Sequence, residues 1–202
     1  MAEFRSSLAS RLNPGNFGAI TTHAPLILSE RVLGHFFQIA GWPDDFDAKV
    51  APVLSALGFS DSGRVGLVQE AGAHRLFRIA PERLLIHSEI PMAWNLASEL
   101  ADTGALALLD LSHARTVIRI EGPVARDLLA RLVPLDFHED NFPAGCFALT
   151  GINTIPVLLN RSADRADMPG YDLFVPYSWA ASLWDLICKA SLPFGYQISN
   201  SR

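Results

Sequence analysis

Two short runs of this sequence carry side-chain types that could do chemistry. Ser112-His113 sets a hydroxyl beside an imidazole, the pair that nucleophilic catalysis uses. His138-Glu139-Asp140 groups an imidazole with two carboxylates, a set suited to metal binding or acid–base work. However, neighbouring side chains on a strand point to opposite faces, and adjacent residues cannot easily converge on one ion. The spacing therefore favours a structural role for the first run and a solvated loop for the second.

Other site patterns do not occur in the sequence. None of the six histidines forms the His-x-x-x-His spacing that presents two metal ligands from one helix. There is no Gly-x-Gly-x-x-Gly turn and no phosphate-binding loop ending in Gly-Lys-Ser or Gly-Lys-Thr. We therefore predict no catalytic, cofactor-binding or metal-binding residue in this chain.

The segment from Asp110 to Arg115 favours a turn over a reaction centre. Asp110 and Ser112 are residue types whose side chains bond to nearby backbone groups in turns, and Arg115 could lie over Asp110. The segment falls where the first half of the chain passes into the second. We interpret it as a connecting turn that fixes how the two halves are joined.

The composition excludes some classes of partner and favours another. Of 202 residues, 50% are apolar and 18% are charged, and the net charge is −5. Nucleic acid needs a clustered basic face, and the sixteen Lys and Arg are scattered, so this partner is excluded. No run of about 18 apolar residues occurs, which excludes a membrane span. Mean hydropathy is still positive at +0.22, which predicts apolar surface that binds a protein partner.

Two features indicate a cytoplasmic protein. Cys146 and Cys188 are the only cysteines, far apart and outside a Cys-x-x-Cys spacing, so we expect free thiols in a reducing compartment. Residues 1–12 lack the continuous apolar stretch of a secretory signal.

Aromatic residues outside the regular helix stripes are candidates for the partner surface, because aromatic side chains are enriched at the centres of interfaces. We predict five interface anchors on this ground: Phe17, Trp42, Phe137, Phe142 and Trp184.

The elements that would position these residues repeat one order. Residues 1–24 are predicted to be an N-terminal arm with a short helix at 6–12. Half-domains follow at 25–111 and 112–202, and we expect them to form one compact body. Each half is predicted as strand, helix, three strands, helix, strand. This order predicts an α+β fold with mainly antiparallel sheets and helices on one face.

The predicted strands follow the alternation of apolar residues. They are expected at 36–41, 64–70, 74–79, 83–88 and 106–111 in the first half, and at 117–122, 146–151, 154–160, 171–175 and 195–198 in the second. A polar loop is expected at 161–170. If the halves are a true repeat, three matched and buried pairs follow: Phe37 with Ile118, Ile39 with Ile120, and Trp94 with Trp179.

Several segments together resemble a known family. They are Asp110 to Arg115, Ile118 to Pro123, Pro134 to Asp136, Phe142 to Cys146, Ile155 to Leu159 and, most specifically, Tyr171 to Trp184. On these segments the chain resembles the gamma subunit of heterotetrameric sarcosine oxidase, from about Leu26 to Tyr196. Through that subunit it resembles the folate-binding fold of the glycine-cleavage T-protein.

The resemblance implies a non-catalytic structural subunit of a bacterial, cytoplasmic complex, with alpha, beta and delta subunits as partners. That family's complex oxidatively demethylates sarcosine to glycine, releases hydrogen peroxide and passes the methyl carbon to tetrahydrofolate. The resemblance places FAD, FMN, NAD, tetrahydrofolate and zinc in the partner subunits and none in this chain.

The T-protein pattern is not complete here. That family places a pair of aspartates after a glycine-rich hairpin, and the first is implicated in tetrahydrofolate chemistry. The matching segment, Gly151 to Leu159, has no carboxylate and offers only Asn153 and Thr154. Gly145-Cys146-Phe147 echoes the motif of an iron–sulfur assembly helper of the same superfamily, but the flanking residues differ. The alternative to a gamma subunit is a free-standing folate-binding or aminomethyltransferase-like one-carbon protein.

Overall fold

The computed structural model describes residues 6–19, 24–90, 101–165 and 168–199. The chain divides into two units. We call Leu33–Ser112 the central unit, and Met1–Val32 together with His113–Arg202 the terminal unit. No helix in the described ranges is long and apolar enough to cross a membrane.

The described elements are mostly strands. The strands are β1 (Gly15–Phe17), β2 (Ile27–Arg31), β3 (His35–Gly41), β4 (Val68–Ala71), β5 (His74–Ala80), β6 (Arg83–Ser88), β7 (Leu106–Asp110), β8 (Arg115–Glu121), β9 (Phe147–Ile152), β10 (Ile155–Arg165), β11 (Met168–Pro176) and β12 (Tyr196–Ile198). The α-helices that lie wholly within the described ranges are α1 (Phe46–Ala56), α2 (Ala125–Ala130) and α3 (Ala180–Ser191). A 3-10 turn, Tyr177–Trp179, precedes α3.

The central unit is a five-stranded antiparallel sheet in the order β4-β5-β6-β3-β7. Helix α1 packs on one face because its apolar residues recur every three or four positions. The residues that form this core are Ile39, Phe46, Val50, Val53, Leu54, Phe59, Leu76, Leu84, Ile86 and Leu106.

The terminal unit is a seven-stranded sheet in the order β1-β12-β2-β8-β11-β10-β9. Among the described strands of this sheet, only the β12–β2 pairing is parallel. Helices α2 and α3 cover one face, where Ile118, Ile120 and Leu173 are fully buried. The fold is therefore α+β with mainly antiparallel sheets, and the predicted fold class is confirmed.

The two sheets repeat one strand order. The order is β4-β5-β6-β3-β7 in the central unit and, read from β9, β9-β10-β11-β8-β2-β12-β1 in the terminal unit. The orders match except that the terminal unit has β2 inserted between β8 and β12 and β1 added at the edge. Phe37, Ile39, Ile118 and Ile120 are all buried, as the repeat predicts.

The N-terminal part of the chain differs from the prediction. Residues 7–11 form turns, not a helix, and Leu8 is fully buried in the terminal core. The predicted first half begins at residue 25, but β2 belongs to the terminal unit. Leu28 lies opposite Ile120 and fills the same core, which explains the position of β2 inside the sheet.

Two more predictions need correction. The expected loop at 161–170 is largely strand, because Arg161 and Ser162 pair with Tyr171 and Gly170. Trp179 was expected to be buried but is 50% exposed on the 3-10 turn. Trp94 and the start of the helix expected at Pro91 lie outside the described residues.

Candidate functional site

The segment between the units forms the turn that its residue types predict. The backbone N–H of Ser112 donates to Asp110 Oδ1 at 2.8 Å. The Ser112 hydroxyl in turn accepts the backbone N–H of Phe36 at 3.0 Å. Since this hydroxyl is buried and holds the start of β3, it organises the backbone of the central unit and is badly placed to act as a nucleophile.

The strand that carries aspartates in the T-protein is part of the β9–β10 hairpin. Asn153 occupies the turn with φ of 53°, a left-handed conformation that Asn adopts more readily than most residues. Thr154 beside it is exposed. Both residues serve the turn, and β10 from Ile155 to Leu159 carries no carboxylate. The residues of this hairpin do not fit the tetrahydrofolate role.

A buried polar cluster lies on the opposite face of the seven-stranded sheet from the helices. We define this polar cluster as Arg31, Arg119, Asn160 and Asp172. Asp172 lies opposite Arg119 on β8 and opposite Asn160 on β10, so the strand register brings the side chains together. Arg119, Asn160 and Asp172 are each at most 3% exposed.

The charges of this cluster are paired. Arg119 lies 3.2 Å from Asp172 and 2.8 Å from Glu121, and Arg31 lies 3.7 Å from Asp172. Two guanidinium groups thus pair with two carboxylates. In this largely buried position an unpaired charge would cost roughly several kcal/mol. The Asp172 carboxylate is held between two guanidinium groups, so the arrangement supports a structural role for the cluster.

Gly170 permits this packing. A Cβ at Gly170 would lie 2.1 Å from Arg119 Nη2, so the guanidinium rests directly on the glycine backbone. The sequence interpretation missed the cluster. The signal was present, because Arg119 stands between Ile118 and Ile120, and Asp172 between Tyr171 and Leu173.

The His138 loop is solvated, as predicted. His138 and Asp140 are 68% and 86% exposed and lie 3.4 Å apart. The backbone N–H of His138 and the Asn141 amide both donate to Asp136, which lowers the pKa of that carboxyl. Across the residues that can be described, no three His, Cys, Asp or Glu side chains lie together as metal ligands would. Cys146 and Cys188 are free thiols, and burial raises the pKa of Cys188 to about 11.

Three of the five predicted interface anchors are core residues. Phe137, Phe142 and Trp184 are at most 6% exposed and belong to the terminal core. Phe137 makes edge-on contacts with both Phe142 and Tyr171. Their prediction as surface anchors is wrong because the chain buries them itself. Phe17 and Trp42 are exposed, at 37% and 74%.

With this geometry in view, the chain can be compared with known proteins. The family described as the GCVT N-terminal domain matches residues 76–200, more than half of the chain. The chain belongs to this GCVT family. Its membership agrees with the T-protein-like fold that the sequence predicted.

Two curated members that match are named sarcosine oxidase subunit gamma. The protein from Corynebacterium sp. (strain U-96) is 31% identical over 124 residues, which cover 57% of this chain and 58% of the relative. The protein from Corynebacterium sp. (strain P-1) is 32% identical over 95 residues, covering 47% and 43%. The matches span about half the length of these relatives. The resemblance to a sarcosine oxidase gamma subunit is confirmed.

Solved structures extend the likeness to the whole fold. A chain of the heterotetrameric sarcosine oxidase from Corynebacterium sp. U-96, in complex with pyrrole 2-carboxylate, matches with a TM-score of 0.77 and 21% identity. This match covers 95% of this GCVT-family chain and 96% of that chain. The glycine cleavage system aminomethyltransferase T from Bartonella henselae matches with a TM-score of 0.60 and 16% identity, covering 89% and 48%. At these identities the likeness shows the fold.

Proposed function

We propose that this chain is the gamma subunit of a heterotetrameric sarcosine oxidase. The observation that carries the proposal is the fold match to a chain of such an oxidase, which covers nearly all of both chains. The sequence matches to the two curated gamma subunits also support the proposal. The match to the aminomethyltransferase favours the alternative, a one-carbon protein, less strongly, because this match covers only 48% of the aminomethyltransferase chain.

In this role the chain is structural and has no active site of its own. The paired charges of the polar cluster and the hairpin without a carboxylate both favour that role. The partners are then the alpha, beta and delta subunits in the cytoplasm. They hold FAD, FMN, NAD, tetrahydrofolate and zinc, and the complex demethylates sarcosine to glycine with tetrahydrofolate as the acceptor of the methyl carbon.

Two exposed aromatic residues are proposed as interface anchors, Phe17 and Trp42. Trp42 is the more exposed of the two, and a tryptophan is costly to leave in water. Phe17 stacks on Tyr196 with ring centres 5.3 Å apart, so one face of its ring is already covered. A few such anchors usually carry most of the binding energy of an interface, about 2 kcal/mol or more each.

The proposal is tested by purifying the tagged chain from its native cells. We expect three other polypeptides at equal stoichiometry, and sarcosine-dependent release of hydrogen peroxide by the purified complex. Trp42→Ala should weaken assembly while leaving the thermal midpoint of the isolated chain within a few degrees. Trp179→Ala, at an exposed tryptophan outside the predicted set, is the matched control.

His113→Ala and Asp136→Ala separate a structural subunit from a catalytic one. Both side chains are exposed, and the assembled oxidase should keep near-normal turnover with either change. Loss of turnover in an intact complex would make the residue a chemical participant and contradict the structural role. A chain that purifies alone and binds tetrahydrofolate would instead support a free-standing one-carbon protein.

A further inference from the structure

Tyr171 on β11 lies between two arginine side chains of the terminal unit. The guanidinium carbon of Arg161 is 5.1 Å from the centre of the Tyr171 ring, and Arg126 on α2 approaches the Tyr171 hydroxyl. We call these three residues the Tyr171 cluster. Among the residues that the structure describes, the Nε atoms of both arginines are buried and have no hydrogen-bond partner, and the buried Tyr171 hydroxyl has only the Arg126 guanidinium beside it. Buried polar groups are nearly always satisfied, so these groups together indicate a partner from outside the chain.

The chemistry of the cluster defines that partner. An arginine Nε–H can only donate, and both arginines are cations, so the partner must accept hydrogen bonds and carry negative charge. The nearby acids do not fill this role. Asp164 bonds to Arg161 Nη2, and Glu139 lies 3.4 Å from Arg126 Nη2, so each acid meets the outer end of its guanidinium.

The central unit contains the same arginine with its partner built in. Arg78 lies opposite Leu84 as Arg161 lies opposite Tyr171. The next strand of each sheet supports this match, because Leu84 pairs with Ile39 on β3 and Tyr171 pairs with Ile120 on β8. Arg78 is therefore the counterpart of Arg161 in the strand repeat.

Asp47 supplies a carboxylate to Arg78. Asp47 Oδ1 lies 2.9 Å from Arg78 Nη1 and accepts the Ser62 hydroxyl at 2.7 Å. Asp47 is the second residue of α1, and the second residue of α2 is Arg126. The helix of the central unit thus supplies a carboxylate to both terminal nitrogens of its arginine. The helix of the terminal unit supplies a second cation instead, and Asp164 bonds only Nη2 of Arg161.

We propose that the Tyr171 cluster binds a small carboxylate ligand, which meets the buried Nε atoms of Arg126 and Arg161. Arg126 has a side chain 31% exposed, so the cluster has a side open to solvent. The ligand accepts hydrogen bonds from Arg126, Arg161 and the Tyr171 hydroxyl. The proposal concerns the chain itself and does not depend on its assembly with partners.

The purified full chain tests this directly. Its thermal midpoint is measured against sodium acetate concentration, with sodium chloride keeping the ionic strength constant. A ligand that binds only the folded state raises the midpoint as its concentration passes the dissociation constant. We expect acetate to raise the midpoint, with a smaller effect of phosphate and none of neutral acetamide. No rise with acetate overturns the proposal, and a larger rise with phosphate overturns the carboxylate assignment.

Matched variants locate the site. Arg126→Gln should weaken acetate binding about tenfold, the loss expected for one charge-assisted hydrogen bond. Arg131→Gln makes the same charge change five residues further along the chain. There the guanidinium lies 4.4 Å from the Phe194 ring centre, outside the cluster, so this variant should change acetate binding less than about twofold. Equal losses in the two variants overturn the proposal.

A gain-of-carboxylate variant keeps the test decisive if Arg126→Gln folds poorly. Arg126→Asp restores the arrangement of the central unit, so its midpoint without acetate should exceed that of the original chain, and acetate should no longer raise it. Tyr171→Phe removes only the hydroxyl and should weaken acetate binding severalfold. An Arg126→Asp chain that still responds fully to acetate contradicts the site.

Discussion

The two sheets place different chemistry at the same positions. When the two sheets are aligned by their strand registers, three positions of one sheet correspond to three of the other, on the face away from the helices. In the terminal unit these are polar and buried: Arg119, Asp172 and Asn160. In the central unit the matching residues are Gln38, Leu85 and Phe77, of which the last two are buried and apolar.

This difference shows that the strand order does not need the ion pair. A sheet of the same order forms with leucine and phenylalanine at the positions of Asp172 and Asn160. Replacing a buried ion pair by well-packed apolar residues is often neutral or stabilising, whereas removing one partner leaves an uncompensated charge. The terminal unit therefore depends on the pair once it is present, even though the fold does not require it.

The largest expected effect comes from breaking that pair on one side. Asp172→Leu introduces the residue of the central unit but leaves the buried Arg119 with Glu121 alone as its carboxylate partner. We expect a loss of about 3 to 5 kcal/mol in the free energy of unfolding. Urea denaturation followed by tryptophan fluorescence measures it.

The full exchange is the control for this change. Arg119→Gln, Asn160→Phe and Asp172→Leu together copy the central unit and remove both charges. This triple variant should be more stable than Asp172→Leu alone, even though it changes more residues. A triple variant that is equally destabilised would show that the matched positions are not equivalent in packing.

A smaller effect is expected at Gly170, on which Arg119 rests. The pairing of Ala40 with Arg83 and of Glu121 with Gly170 makes Arg83 the matching residue in the central unit, where Gln38 stands at the position of Arg119. Gly170→Ala should cost about 1 to 3 kcal/mol, because its Cβ would overlap Arg119 Nη2.

A double-mutant cycle checks this cause. In an Arg119→Gln background the alanine meets a shorter side chain, so most of the Gly170→Ala cost should disappear. An unchanged cost in that background would assign it to the strand backbone instead.

Local patterns were enough to predict most elements of both units. Strand β6 has its predicted bounds, Arg83 to Ser88, and β3 begins one residue before its predicted range of 36–41. Both depend on periodicity within a single element, which a sequence displays directly.

Features that depend on which elements become neighbours could not be predicted in this way. The alternation within β2 says nothing about its insertion between β8 and β12. The pairing of Arg119 with Asp172 requires a register between strands about fifty residues apart. Trp184 was misassigned to the surface for the same reason, because its burial depends on what packs against α3.

The smallest expected effect tests the carboxylate of the central unit. The Ser62 hydroxyl and then Arg78 lower the pKa of Asp47 from its ordinary value of 3.8. Since the folded state holds this carboxyl ionised more strongly than the unfolded chain does, Asp47 stabilises the fold fully above the unfolded pKa. That contribution is lost as the pH falls from about 4 through the lowered pKa.

Asp47→Asn removes the titrating carboxyl and so isolates its contribution to the free energy of unfolding. Asp47 has a side chain 62% exposed, so the loss near pH 7 should not exceed about 1 kcal/mol, as for other solvated ion pairs. The stability difference between the original chain and the variant should shrink as the pH falls below 4, in urea denaturation series at matched ionic strength. Arg126→Asp should show the same acid dependence in the terminal unit if the two helix positions are equivalent. A difference that stays constant from pH 7 to pH 3 would mean that the asparagine acts through packing and not through charge.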